Sequence, residues 1–126
     1  MTPRTILLAE DDRFLRRAAE VTLKQRGFTV LLASNGQEAL DLARAHQPDL
    51  VLLDLLMPRM TGIEVLTELR AEPRTRNLRV LILSNSSKEL EMESARTLGI
   101  AGYWIKANLS LKELGDRVIA LLDGRS

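Results

Sequence analysis

The 126-residue sequence predicts an α/β fold: five strand–helix repeats, (βα)5, wound on both faces of one five-stranded parallel sheet. Three observations carry that prediction. Short apolar runs of strand length alternate with longer stretches of helical period. Several of the runs lack polar alternation, as strands covered on both faces do. Strands that alternate with helices require crossover connections, and these are right-handed and build a parallel sheet.

Thr5-Ile6-Leu7-Leu8-Ala9 is the first run and stops at Glu10-Asp11-Asp12. From Arg13 to Arg26, Phe14, Leu15, Ala18, Ala19, Val21 and Leu23 form a broad helical stripe, and Gly27 is its stop. Thr29 to Ala33 is the second strand. Ser34-Asn35-Gly36 then offers capping residues for a helix over Gln37 to His46, with Ala39, Leu40, Leu42 and Ala43 as its apolar face. After Pro48, Leu50 to Leu53 runs unbroken into Asp54, and Met57-Pro58 breaks the chain. Ile63, Leu66 and Leu69 place a helix over Gly62 to Ala71, followed by the polar loop 72–77. Val80 to Leu83 ends at Ser84, Lys88 to Leu98 is helical up to Gly99, and Tyr103-Trp104-Ile105 ends at Lys106. The last helix runs from a Ser110 cap to Leu122.

This length fits one domain, spanning residues 1–126, with enough chain to bury its own core. Eighteen basic against seventeen acidic side chains give a net charge of +1, so no global field draws in nucleic acid or an anionic membrane. Without cysteine, disulfides and thiolate metal sites are excluded. No apolar run approaches the roughly 20 residues that span a bilayer, and the short one at the N-terminus lacks the pattern of a signal peptide. A cytoplasmic protein is expected. Arg13, Arg16 and Arg17, or Arg74, Arg76 and Arg79, are read as solvated faces or loop rather than a nucleic-acid surface. His46, at a helix end, is read as a surface residue.

In an open parallel sheet, ligands bind beyond the carboxyl ends of the strands. The residues just past those ends are Glu10, Asp11 and Asp12, then Ser34, Asp54, Ser84 and Lys106. Clustered carboxylates suit a hard cation such as Mg²⁺, which takes one or two of them and completes its shell with water and phosphate oxygens. A carboxylate can attack phosphorus to form an acyl phosphate, while a lysine and a hydroxyl neutralise and bind the phosphoryl oxygens. Any one of these residues alone is better explained as a helix cap or a solvated charge. Four at one end of a sheet are not.

At these residues the chain resembles the receiver domain of two-component response regulators, over nearly its whole length. Ile6 to Asp12 is similar to that family's first strand and acidic pair, and Leu50 to Gly62, with Asp54-Leu55-Leu56-Met57-Pro58, to its phosphoacceptor segment. Ser84 follows Asp54 by 30 residues and Lys106 follows Ser84 by 22, as in typical members. The resemblance implies a flavodoxin-like strand order of 2-1-3-4-5 and a Mg²⁺-dependent switch rather than a turnover enzyme, with self-catalysed phosphotransfer and slow autodephosphorylation. Asp54 would be phosphoacceptor and metal ligand. With Arg16 in the family's helix position, Glu10 and Asp11 become the acidic pair, and the register pairing Asp11 with Asp12 stays open. The Leu56 backbone carbonyl would complete the metal contacts, and Ser84 and Lys106 would hold the phosphoryl oxygens.

The switch is implied in the same way. Ser84 would move toward the new phosphate and Tyr103 would turn inward, remodelling the surface of the fourth helix, fifth strand and fifth helix for a downstream protein. Trp104 is assigned packing only. A sensor histidine kinase or phosphotransfer protein would be the donor, and a phosphorylation-dependent dimer is compatible with this scheme.

Three residues depart from the family's pattern. Ala107 follows Lys106 where proline, often cis, is usual, so that bond is expected to be trans or its loop more mobile. Asn85 occupies a position commonly small and is expected to narrow access to the phosphoryl group. Leu56 cannot position an attacking water, which points to a longer-lived phosphoform. Leu56 also stands where an aspartate-nucleophile phosphatase would carry its acid/base aspartate, against that enzyme reading. The alternative is a receiver-like interaction module that no longer takes phosphate. Acting alone, shuttling phosphoryl groups in a relay, or forming part of a longer regulator are all open.

Overall fold

In the computed structural model, residues 3–124 are described. The elements follow one another as β1 (Thr5–Ala9), α1 (Arg13–Gln25), β2 (Thr29–Ala33), α2 (Gly36–His46), β3 (Leu50–Leu53), α3 (Gly62–Ala71), β4 (Val80–Ser84), α4 (Glu89–Leu98), β5 (Gly102–Ile105), a 3₁₀ turn over Lys106–Asn108, and α5 (Leu111–Leu122). All four strand pairings are parallel, in the order β2-β1-β3-β4-β5. This is the predicted flavodoxin-like winding, and the element boundaries agree with the sequence expectations to within a residue or so.

The apolar runs divide by their own pleat. Leu7, Val51, Leu53, Val80 and Ile82 pack on one face against Ala39, Leu40 and Ala43 of α2, Val65, Leu66 and Leu69 of α3, and Ala95 of α4. Ile6, Leu8, Leu50, Leu52, Leu81 and Leu83 point the other way, onto Ala19 and Leu23 of α1 and Leu114 and Val118 of α5. Each fully buried Leu or Ile contributes about 1.5–3 kcal/mol, so continuous runs rather than alternating ones are what two covered faces require.

Local signals set the helix ends. Asn35 accepts from the Glu38 N–H, and Thr61 with Glu64 and Ser110 with Glu113 form reciprocal capping boxes. Gly99 closes α4 at φ +93°, in the region that favours glycine.

Helix α1 departs from the predicted stripe. Phe14 is 87% exposed and Val21 also faces solvent, while Glu20 is buried. Ala19 and Leu23, four residues apart, face the sheet instead. Glu20 tolerates burial because Arg17 and Lys24, one turn to either side, each reach one of its oxygens at 2.8 Å. No peptide bond among the described residues is cis, so Lys106–Ala107 is trans.

Candidate functional site

Parallel register assembles the site. Ala9 stands opposite Leu53, and the Asp54 N–H donates to the Ala9 carbonyl at 3.1 Å, so Glu10 and Asp54 leave adjacent strands at one level. Ser84 stands opposite Ile105, which delivers Lys106 beside it. Gly62 allows the loop after β3 to fold back: a Cβ there would lie 2.3 Å from the Asp54 carbonyl oxygen. The Gly62 N–H reaches the Leu55 carbonyl at 2.9 Å.

At the centre, Lys106 Nζ contacts two carboxylates, donating to Asp54 Oδ2 at 2.8 Å and pairing closely with Glu10 Oε1. Asp54 is 5% exposed and Glu10 2%. Asp54 Oδ1 also accepts the Leu56 N–H at 3.2 Å, and Glu10 Oε2 accepts the Asp12 N–H at 3.0 Å. Burial pushes the Glu10 carboxyl above its ordinary range, against the Lys106 and Asp12 hydrogen bonds, and the nearby Asp54 charge adds to the rise. Burial works against the Lys106 ammonium, but its bonds to Asp54 and Glu10 outweigh it and hold the pKa above the usual lysine value.

Glu10, Asp11 and Asp54 each present an oxygen within 4.8 Å of the others. An oxygen-only set of carboxylates, two buried and one exposed, fits a small hard cation. Asp12 is turned elsewhere, its carboxylate accepting the Leu15 N–H at 3.0 Å as the cap of α1. Arg16 donates to the Glu10 and Asp11 carbonyls and holds the acidic segment against the helix.

The remaining predicted residues take distinct places. The Ser84 side chain is fully buried, and its Oγ accepts the Ser86 N–H at 3.2 Å. The Tyr103 ring is half-buried against the α3/α4 face of the core, and its hydroxyl donates to the Ser86 carbonyl at 2.7 Å. Leu56 is 61% exposed at the rim. The exposed Asn85 accepts the Ala107 N–H at 2.9 Å through Oδ1. Ser34 stands apart, its hydroxyl and N–H both donating to Glu38 Oε1 at 2.7 Å.

Ser86 is the residue sequence reasoning missed. It receives Tyr103 through its carbonyl, reaches Ser84 through its N–H, and donates from its hydroxyl to Glu91 on α4. A serine in a short polar loop carries no sequence signal beyond its place two residues after Ser84.

A family model described as "Response regulator receiver domain" matches residues 6–118. The response regulator MprA of Mycolicibacterium vanbaalenii is 38% identical over 120 residues, covering 95% of this chain and 51% of that protein. The transcriptional regulatory protein PdtaR of Mycobacterium tuberculosis is 35% identical over 105 residues, covering 82% and 50%. The chain thus spans about half the length of these curated relatives. Among solved structures, the receiver domain of the Francisella response regulator 1452 matches at a TM-score of 0.84 with 28% identity, covering 96% of this chain and 98% of that one. The phosphorylated cyanobacterial phytochrome response regulator RcpA matches at 0.86 with 26% identity, covering 99% and 98%.

Proposed function

The chain belongs to the response regulator receiver domain family of two-component signalling proteins, and from that premise we propose that it is a phosphorylation switch whose acceptor is Asp54. One observation carries the reading: the buried Asp54 carboxylate, at the end of a central strand, shares the Lys106 ammonium with Glu10 and lies within a cation's reach of Asp11.

In the reaction, an Asp54 oxygen attacks phosphorus, the bond from phosphorus to the donor nitrogen or oxygen breaks, and an aspartyl phosphate forms. The donor is a sensor histidine kinase or a phosphotransfer protein. Glu10, Asp11, Asp54 and the Leu56 carbonyl would hold Mg²⁺, which neutralises charge on the transferring group when bound. Lys106 neutralises a phosphoryl oxygen from the opposite side and already stands 2.8 Å from the acceptor carboxylate. The Ser84 hydroxyl, now an acceptor for Ser86, turns to donate to the new phosphate and releases the Ser86 loop. That release reaches the face of α4, β5 and α5, where a downstream protein or a second copy of the chain would dock. The exposed Leu56 at the rim supplies no group to orient water, which favours a long-lived phosphoform and a switch rather than an enzyme. No helix among the described residues is long and apolar enough to cross a membrane. The family supports a cytoplasmic place of action.

Incubation with acetyl phosphate and Mg²⁺, followed by intact mass measurement, tests the proposal. One added phosphoryl group, dependent on Mg²⁺ and absent in Asp54→Ala, is expected. A native chain that binds Mg²⁺ and takes no phosphoryl group would overturn it in favour of a phosphate-independent interaction module.

A further inference from the structure

We propose that Asn85 is a positioning residue for Lys106, acting through a hydrogen bond that clasps the loop after β4 to the loop after β5. The inference rests on the reading above, in which Lys106 receives a phosphoryl oxygen.

The two bonded residues are each one step past a functional group. Asn85 directly follows Ser84, and Ala107 directly follows Lys106. Asn85 Oδ1 accepts the Ala107 N–H at 2.9 Å. Only the oxygen of a carboxamide can accept, so this donor fixes which way the Asn85 amide faces. The bond exists because residue 107 is an alanine, since a proline there would offer no N–H.

Local structure explains why an outside acceptor is used. Ala107 lies in the 3₁₀ turn over Lys106–Asn108, whose preceding residue Ile105 provides no side-chain cap. The first N–H groups of a helical turn have no partner within it. Asn85 supplies that acceptor from the neighbouring strand's loop. Both residues are exposed, so water could have satisfied the amide equally well. The effect of the bond is therefore geometric.

Lysine carries a long flexible stem, and holding its head in one place costs rotamer freedom. In this structure Asp54 and Glu10 hold the head. Those contacts are the ones that change when Asp54 becomes an acyl phosphate, whereas the Asn85 bond acts at the root of Lys106 and is untouched by the chemistry. The clasp keeps the ammonium on the phosphoryl group through the reaction. This gives Asn85 a role besides the expected narrowing of access, through the bond its carboxamide makes with Ala107.

A double-mutant cycle, with amide hydrogen exchange as a second readout, tests the clasp. Asn85→Ala is expected to speed exchange at the Ala107 amide and slow phosphoryl uptake from acetyl phosphate, each by about three- to tenfold, the scale of one neutral hydrogen bond. In the Ala107→Pro background, the same Asn85→Ala change should alter uptake by less than about twofold, because its partner N–H is already gone. Equal slowing in both backgrounds would show Asn85 acting by itself and overturn the clasp. So would unchanged Ala107 exchange in Asn85→Ala, a readout that stands even where Ala107→Pro does not fold. If the native chain takes no phosphoryl group, the reading of the site fails separately, and Mg²⁺ titration by calorimetry decides the clasp. Lys106 competes with the cation for Glu10 and Asp54, so Asn85→Ala must shift the Mg²⁺ Kd by a comparable factor, and an unchanged Kd overturns it.

Discussion

Lys106 stabilises the protein before any phosphoryl group arrives, because its ammonium neutralises two buried carboxylates. Its side chain is 14% exposed, against 6% for Asp54 and 3% for Glu10. Removing the ammonium leaves two carboxylate charges without a partner in a poorly solvated place, and breaking a buried pair typically costs about 3–5 kcal/mol. Lys106→Met keeps the stem's volume and should lose about 3 kcal/mol in urea unfolding without divalent cations. Added Mg²⁺ should recover more stability in that variant than in the native chain. Equal unfolding midpoints would show that the ion pair is solvated. Glu10 gives a pH signature of its own. Its folded pKa is raised, so its contribution to stability is full below the ordinary value of 4.5 and is lost as pH rises through the folded pKa. Glu10→Gln should therefore raise the thermal midpoint at neutral pH without Mg²⁺, and the gain should fade as pH falls toward 4.5 and below. A gain that persisted into acid would have another cause.

The helices act at this site through their first turns. Helix α3 begins at Gly62 directly under the acceptor loop, and a Cβ there would stand 2.3 Å from the Asp54 carbonyl oxygen and 2.7 Å from the Leu55 Cα. Both are backbone atoms and cannot swing aside. Gly62→Ala should thus cost at least about 2 kcal/mol in urea unfolding, at the upper part of the overpacking range, and slow phosphoryl uptake by displacing Asp54. A loss under about 0.5 kcal/mol, typical of a surface change, would mean that the loop has room to move. Helix α1 shows where periodicity misleads. Phe14 and Val21 share a stripe seven residues apart, yet the sheet is met by Ala19 and Leu23. Apolar residues covered too much of the helix surface to fix its rotation, and the packing of α1 on the sheet and beside α5 chose one narrow stripe of it.

Across the whole molecule, what was legible in the sequence was whatever one strand could state by itself. Four of the five apolar runs, those of β1, β3, β4 and β5, end on a residue of the site, and parallel register turns those endings into neighbours, as with Glu10 beside Asp54 and Ser84 level with Ile105. Contacts between loops had no such rule to reveal them. The Tyr103–Ser86 and Asn85–Ala107 bonds depend on how separate segments approach one another. The same holds for Arg70, which fixes how α4 can move. Its guanidinium donates to the carbonyls of Leu98 and Gly99 at 3.1 and 2.8 Å, and to Arg76 at 3.0 Å, clamping the C-terminal end of α4 to α3. The opposite end is held differently. Lys88 makes no side-chain cap, and the loop before it is held by the Ser86 bonds to Ser84, Tyr103 and Glu91 and by the Asn85–Ala107 bond. Withdrawal of the Ser84 hydroxyl toward a phosphate on Asp54 removes one of those bonds, so α4 should loosen from its N-terminal end and pivot on Arg70. Hydrogen exchange on the phosphorylated chain should then change by at least about fivefold over residues 86–92 and by less than about twofold over residues 96–99, local opening free energies differing between the two ends. Arg70→Ala should carry the change through the whole helix. A uniform change along α4 in the native chain, or one confined to residues 96–99, would place the hinge elsewhere.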